Sequence, residues 1–291
     1  MNSEPTTSKK KVIFYRSNLS PVQKEDYITC EEPLAIVVFY YDASKNLSHH
    51  PLSITMRTPG NDIELCKGFL LSEGIIDSDQ QIDKIEVKST HENSLLKDQT
   101  IQIFLKEDFF FNPQQFSRNF YSSSSCGVCG KNSIAQLERQ IKTILPVSKP
   151  QINREKIFSI NKLMKEVQIT FHRTGGIHGT AVFDEHLNLE CIREDVGRHN
   201  AMDKVIGYLM EKNELPAKDK IVSVSGRAGF ELVQKALVAG FGILTAVGAP
   251  SDLAIDLAQT YGMTLIGFLK DNQFNVYSHP QRIINHKKGL E

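Results

Sequence analysis

Two thiols, Cys126 and Cys129 in Cys126-Gly127-Val128-Cys129, are the sharpest chemical feature of this 291-residue sequence. At this spacing a pair can close a disulfide, share a metal or cooperate in sulfur transfer. The thiolate is the reactive form, and a helix amino terminus or a nearby cation lowers its pKa. Lys131 and a helix expected to begin near Ser133 offer both to Cys129. Tyr121 and the serines Ser122 to Ser125 suit a loop that swings the pair between partners. On spacing alone three readings stand together: thiol chemistry, half of a zinc site that His178 and His199 would complete, and coincidence. Cys30, Cys66 and Cys191 are isolated. Cys66 falls on the apolar face of a helix and Cys191 within a strand, where cysteine is an ordinary core residue.

Strand-to-helix junctions collect a second kind of chemistry. Arg193-Glu194-Asp195-Val196-Gly197-Arg198-His199-Asn200 places Arg193, Arg198 and His199 where backbone donors at a helix start add to guanidinium groups, an arrangement that suits an anion. Ser225-Gly226-Arg227-Ala228-Gly229 offers close backbone approach at Gly226 and a bidentate grip from Arg227. Gly248-Ala249-Pro250-Ser251 forms a third junction. The plainer alternatives are solvated loops with internal ion pairs and turns that need glycine. Taken together along one sheet, the three describe a cleft for a phosphate-bearing ligand. No Walker loop or G-x-G-x-x-G fingerprint is present, and the absence of H-E-x-x-H and G-x-S-x-G leaves metalloprotease and serine-hydrolase chemistry unsupported. In Gly175-Gly176-Ile177-His178-Gly179, His178 is a possible acid, base or ligand, set against the bland reading of a structural turn histidine.

The elements that must position these groups divide the chain. Residues 1–11 are too polar to bury anything and read as a disordered tail. Residues 12–115 read as an N-terminal α+β domain. Its strands are Leu34 to Tyr41, Leu52 to Arg57, Ile82 to Lys88 and Thr100 to Leu105, interrupted by a helix from Ile63 to Gly74. Residues 116–155 read as a mobile Cys-x-x-Cys loop, a helix over Ile134 to Ile144 and a connector. Residues 156–291 alternate helix and strand, starting with one helix marked by Ile157, Ile160, Met164, Val167 and Phe171. Short connections there imply parallel strands joined by right-handed crossovers, with ligands gathering at the strands' carboxyl ends.

Composition closes off some functions. Lys+Arg and Asp+Glu are 34 each, which disfavours a nucleic-acid binder that relies on a basic surface. No apolar run approaches the roughly 18 residues of a membrane span, and Met1 to Lys11 lacks a signal peptide's apolar core. A cytoplasmic protein with reduced thiols is expected, free of structural metal, membrane and nucleic acid.

The chain resembles the FdhD family of formate dehydrogenase accessory sulfurtransferases. The resemblance rests on Ser125-Cys126-Gly127-Val128-Cys129-Gly130-Lys131, on Thr174-Gly175-Gly176-Ile177-His178, and on the run Arg193 to Lys204. It continues through Ser225-Gly226-Arg227, Phe230 to Lys235, Gly262 to Leu269, Thr58-Pro59-Gly60 and Gly68 to Ile76. It implies that sulfur is taken as a persulfide from a cysteine desulfurase. The sulfur then passes to a molybdenum bis(molybdopterin guanine dinucleotide) cofactor, bound as substrate and destined for formate dehydrogenase. Cys126 would be the persulfide carrier and Cys129 its assisting thiol. Phe268, Leu269, Lys270, Asp271, Asn272 and Gln273 would bind the cofactor, with Arg193, Arg198, His199, Gly226 and Arg227 in the same cleft. The resemblance also implies a homodimer and a C-terminal α/β sheet of cytidine-deaminase-like fold with helices on both faces. Two rivals are a non-catalytic cofactor chaperone and a zinc-dependent deaminase, which would want H-x-E with P-C-x-x-C. The chain departs from the family at Lys270 to Gln273, which lacks an Arg-Gly composition, and at Gly229, where a serine is frequent.

Overall fold

The computed structural model describes residues 6–90, 98–116, 141 and 144–285. It opens on a hairpin of β1 (Thr7–Phe14) and β2 (Val22–Thr29). β1 therefore corrects the expectation of a disordered lead-in through residue 11. Its lysines bury little; the strand is held by ladder pairing to β2. The base of that hairpin is pinned where Thr29 Oγ1 donates to Thr174 Oγ1 at 2.9 Å.

β3 (Glu32–Tyr41), β4 (Leu47–Arg57), β5 (Ile82–Thr90) and β6 (Asp98–Leu105) form a four-stranded sheet in the order β4-β3-β6-β5. Alternation in β3 puts Leu34, Ile36 and Val38 on one face, all buried. Leu65, Cys66 and Leu70 of α1 (Asp62–Ser72) join them in one core. Sheet and helix thus share one apolar interface.

The second half contains β7 (Ile152–Asn153), α2 (Arg154–Val167), α3 (Ile169–Thr174), β8 (His178–Phe183), β9 (Leu189–Asp195), α4 (Arg198–Glu211), β10 (Ile221–Val224), α5 (Phe230–Val238), β11 (Ile243–Ala246), α6 (Asp252–Tyr261), β12 (Thr264–Gly267), β13 (Asn275–Ser278) and β14 (Ile283–Ile284). Its main sheet runs β13-β12-β11-β10-β8-β9, while β14 pairs separately with β7. The expectation of an all-parallel sheet is corrected. Only β10, β11 and β12 are parallel to their neighbours among themselves; β8, β9 and β13 pair antiparallel. The reason is local: β8 and β9 are joined by a tight turn around Asp184, which accepts from His186 and Asn188 amides, too short for a crossover. Val182, Val222 and Leu244 point to one face and join helices α4 to α6. Phe183, Ile221 and Ile243 point to the other and meet Ile157, Ile160 and Met164 of α2. Both faces are thus covered by helices.

The expected helix through Phe171 breaks at Gln168, whose backbone leaves the helical region. A carboxylate supports the restart. Glu194 accepts from the amides of Thr170 and Phe171, both at 2.8 Å, and so caps α3.

Two neighbouring contacts are prominent among those that bind the halves. Helices α1 and α4 cross at reciprocal glycines, Gly68 against the Asp203 carbonyl and Gly207 against that of Glu64. A Cβ built on either glycine would fall 1.8 Å from that oxygen. Beside the crossing, the Thr58 amide donates to Asp195 at 3.1 Å, and Lys204 bridges the Asp195 carboxylate at 2.7 Å and the Thr58 carbonyl at 2.8 Å. No helix among the described residues is long and apolar enough to cross a membrane.

Candidate functional site

The carboxyl ends of β9, β10, β11 and β12 meet the start of β8 along one edge of the six-stranded sheet. A cavity of about 370 Å³ opens there under α2 and α3. Asn161, Met164, Gln168, Phe171, Ile177 and His178 line it from the helices and the Gly175-Gly176 turn, with Val196, Ser225 and Val247 from the strand ends. The topology explains the gathering, since each of these loops leaves the sheet at the same edge.

His178 sits beside Gly226, where an added Cβ would lie 3.3 Å from its Nδ1. That closeness explains why glycine stands at 226. Burial, then the Arg198 charge, lower the His178 pKa, with Asp195 opposing them, so the ring is neutral near pH 7. His199, in the first turn of α4, is pushed down to about 3 by burial, with Arg198, Lys235 and His178 adding to it. Its Nε2 lies 3.4 Å from a Glu231 carboxylate oxygen at the start of α5. Both imidazoles are therefore neutral hydrogen-bonding groups, and positive charge at this edge resides on the arginines. Arg227 is exposed at the rim, packed over Gly248. Deeper in, Lys235 contacts both Asp203 oxygens at 2.9 Å. Burial opposes its charge, but Asp203, Glu73 and Glu231 outweigh that and hold it protonated.

Not every expected residue joins the edge. Arg193 is a correction: its Nε and Nη2 reach Glu64 at 2.5 and 2.7 Å, and its guanidinium lies over Tyr208. That bidentate pair ties β9 to α1 and leaves no fork for a phosphate. Leu269 is a second correction, a fully buried core residue beside Ile157 and Ile160. Phe268 is exposed, with φ of 52°, and its amide donates to the Gly248 carbonyl at 3.1 Å. Lys270, Asp271, Asn272 and Gln273 follow as an exposed turn closed by Lys270 N to Gln273 O, 2.8 Å. Asn161 Nδ2 donates to Asp271 at 3.1 Å and so holds this turn to the cavity wall. Cys126, Cys129, the serine loop and nearly all of the helix expected over Ile134 to Ile144 lie outside the described residues. Cys66 and Cys191 are buried core thiols, as expected, their pKa raised by burial.

Three residues of the site went unread in the sequence: Asn161, Gln168 and Glu231. A signal for two of them was available. Asn161 follows Ile157 by four, and Gln168 follows Met164 by four, so both are amides on a helix's apolar face. Glu231 carries no such signal, because an acidic first-turn residue is commonplace.

A family model described as the FdhD/NarQ family matches residues 30–284. Relatives named "Sulfur carrier protein FdhD" from Sulfurisphaera tokodaii and Picrophilus torridus are 38% identical over 276 residues and 41% over 280. Those alignments cover 95% and 96% of this chain and 99% of each relative. A crystal structure described as a formate dehydrogenase accessory protein from Desulfotalea psychrophila superposes with a TM-score of 0.70 at 20% identity. It covers 96% of this chain and 100% of its own, a likeness of fold.

Proposed function

This chain belongs to the FdhD/NarQ family, and we propose that it is a sulfur carrier serving the maturation of a formate dehydrogenase. The observation that carries this reading is the near-full-length likeness to relatives that bear the name sulfur carrier protein. In this reading Cys126 is the carrier of a sulfurtransferase. Its thiolate attacks the terminal sulfur of a persulfide on a cysteine desulfurase. A new S–S bond forms as the old one breaks, and the donor cysteine leaves as a thiolate. Cys129 assists the onward transfer.

The acceptor is molybdenum bis(molybdopterin guanine dinucleotide), bound as substrate. Its pyrophosphates are strongly anionic, and the chain has no net positive charge to attract them. Local groups must supply the binding: Arg198 and Arg227, the backbone amides that open α4 and α5, and the turn from Phe268 to Gln273. The neutral His199 and the close backbone at Gly226 complete that rim. The strand order, a parallel trio with an antiparallel hairpin at one edge, supports a cytidine-deaminase-like description of the C-terminal sheet. We take the protein to act in the cytoplasm as a homodimer.

Incubation with a cysteine desulfurase and cysteine, followed by intact-mass analysis, is expected to show a gain of one sulfur atom. Cys126→Ala abolishes the gain if Cys126 is the carrier. An equal gain in that variant assigns the sulfur elsewhere and defeats the mechanism.

A further inference from the structure

The β1–β2 hairpin has no core of its own. Its strands pair over eight residues each, from Thr7 opposite Thr29 to Phe14 opposite Val22, and with no other strand among the described residues. No side chain from Thr6 to Thr29 is buried. Apolar groups are concentrated at the distal end, where Ile13 is 63% exposed, Tyr15 71%, Leu19 63% and Val22 59%. A lone two-stranded hairpin is marginal in water, and apolar side chains grouped on an exposed arm mark an interaction site. The side-chain contacts that support the arm are peripheral. Lys24 lies 4.7 Å from the Phe14 ring centre, Arg173 of α3 lies 4.9 Å from that of Tyr27, and Lys9 pairs with Glu25 at 3.0 Å.

The charge of the arm narrows what can cover it. Residues 7–29 carry five cations, Lys9, Lys10, Lys11, Arg16 and Lys24, against two carboxylates, Glu25 and Asp26. This surplus is local, because the whole chain has no net charge. Its complement is a surface that is acidic around an apolar hollow. Burial of Ile13, Tyr15, Leu19 and Val22 then supplies affinity, and the cations steer the encounter. Asp26 and Glu25 stand opposite Lys10 and Lys11 in the register, which disfavours a phosphate backbone as the occupant. The turn Arg16-Ser17-Asn18 is polar, and the Leu19 amide donates to the Arg16 carbonyl at 3.2 Å, which disfavours insertion into a bilayer. A protein surface meets both conditions.

The root of the arm is at the candidate cleft. Thr29 Oγ1 lies 3.3 Å from the carbonyl oxygen of Gly176, whose turn lines the cavity. At about 3.4 Å per residue the strands run roughly 27 Å from that root to the distal end. A protein gripped along the arm is held next to the cleft. In the sulfur-carrier reading, delivery is to a small molecule, whereas acceptance takes place between two proteins. The protein-sized surface therefore belongs to the donor.

We propose that the β1–β2 hairpin is a docking arm for the sulfur-donating enzyme, which holds it with an acidic rim around an apolar hollow. The proposal rests on the sulfur-carrier reading for the identity of that partner. The arm itself stands on the exposure and charge of the hairpin.

Interferometry with the full chain and a purified cysteine desulfurase tests it. Tyr15 and Leu19 lie beyond the last register pair, so Tyr15→Ser with Leu19→Ser leaves the ladder intact. This double variant is expected to weaken binding about tenfold or more at an unchanged melting temperature. Lys10→Gln with Lys11→Gln is expected to slow association and to lessen its dependence on salt. In sulfur loading, both variants raise the desulfurase concentration that gives half the limiting rate and leave that rate unchanged. General damage to the fold would not give this split. Wild-type affinity in both folded variants, or no binding of the desulfurase to the unmodified chain, overturns the proposal. So does binding to phosphatidylserine vesicles or single-stranded RNA that the variants lose while they hold the desulfurase as tightly as before. Failure of Cys126 to gain sulfur, with arm-dependent binding intact, supports the arm and sinks only the parent reading.

Discussion

At the scale of single residues, the two histidines at the sheet edge make a claim that pH can test. The His199 pKa falls from 6.5 in the unfolded chain to about 3 in the fold, held down by burial first and then by Arg198, Lys235 and His178. The unfolded chain therefore binds more protons between these values, and stability must fall as pH drops from 6.5 toward 3. His178 acts in the same direction. Urea unfolding at pH 7 and pH 5 is expected to show a loss from His199 of up to about 2 kcal/mol. His199→Gln should flatten that dependence; an unchanged slope would show that His199 is not held neutral. The sequence placed His199 correctly at a helix start, and it placed Arg193 in the same loop. Nothing local separates Arg193 from Arg198, since the difference lies in Glu64, 129 positions away.

Among elements, the crossing of α1 and α4 is the tightest constraint. Gly68→Ala or Gly207→Ala places a methyl group into a carbonyl, and backbone oxygen has no rotamer by which to yield. Each is expected to cost at least about 3 kcal/mol in urea unfolding. Gly229→Ala, with nothing within 4 Å of its built Cβ, is the control and should stay within about 1 kcal/mol. A small effect at Gly68 would mean that the helices can part there. Both helices were legible from their apolar spacing, as were α5, α6 and the strands β3 to β6 and β8 to β12, whereas β7 fell in the expected connector. The break at Gln168 was not. Its apolar periodicity runs through to Phe171, and the interruption depends on Glu194 reaching back from another strand to cap α3. The direction of β8 was misread for a related reason, because alternation of elements reports order and the length of a turn decides sense.

Across the whole molecule, the candidate cleft lies on one half and is braced by the other. Lys204 is the brace, buried between Asp195 and the Thr58 carbonyl. Lys204→Met leaves Asp195 as an uncompensated buried charge and is expected to cost about 3–5 kcal/mol. The chemical denaturation midpoint reads this directly, and a loss below 1 kcal/mol would argue that Lys204 adds little to the docking of the halves. The mixed α/β character was visible in the pattern of elements, because strand and helix periodicities both recur along the chain. The docking of the halves was invisible, because it is made by glycines and by buried charges that read in sequence as turns and solvated loops.

The interlocking glycines carry a lesson for anyone building hybrids of this protein with its relatives. A chimera that takes its first hundred residues from one parent and the remainder from another must match two helices at a distance where no side chain fits. Splice points chosen at the connector around residue 146 look harmless on paper, yet they exchange one face of that fit without the other. Successful hybrids are expected only when both parents supply glycine at each of the two positions, and libraries filtered on that pair alone should be enriched in folded members.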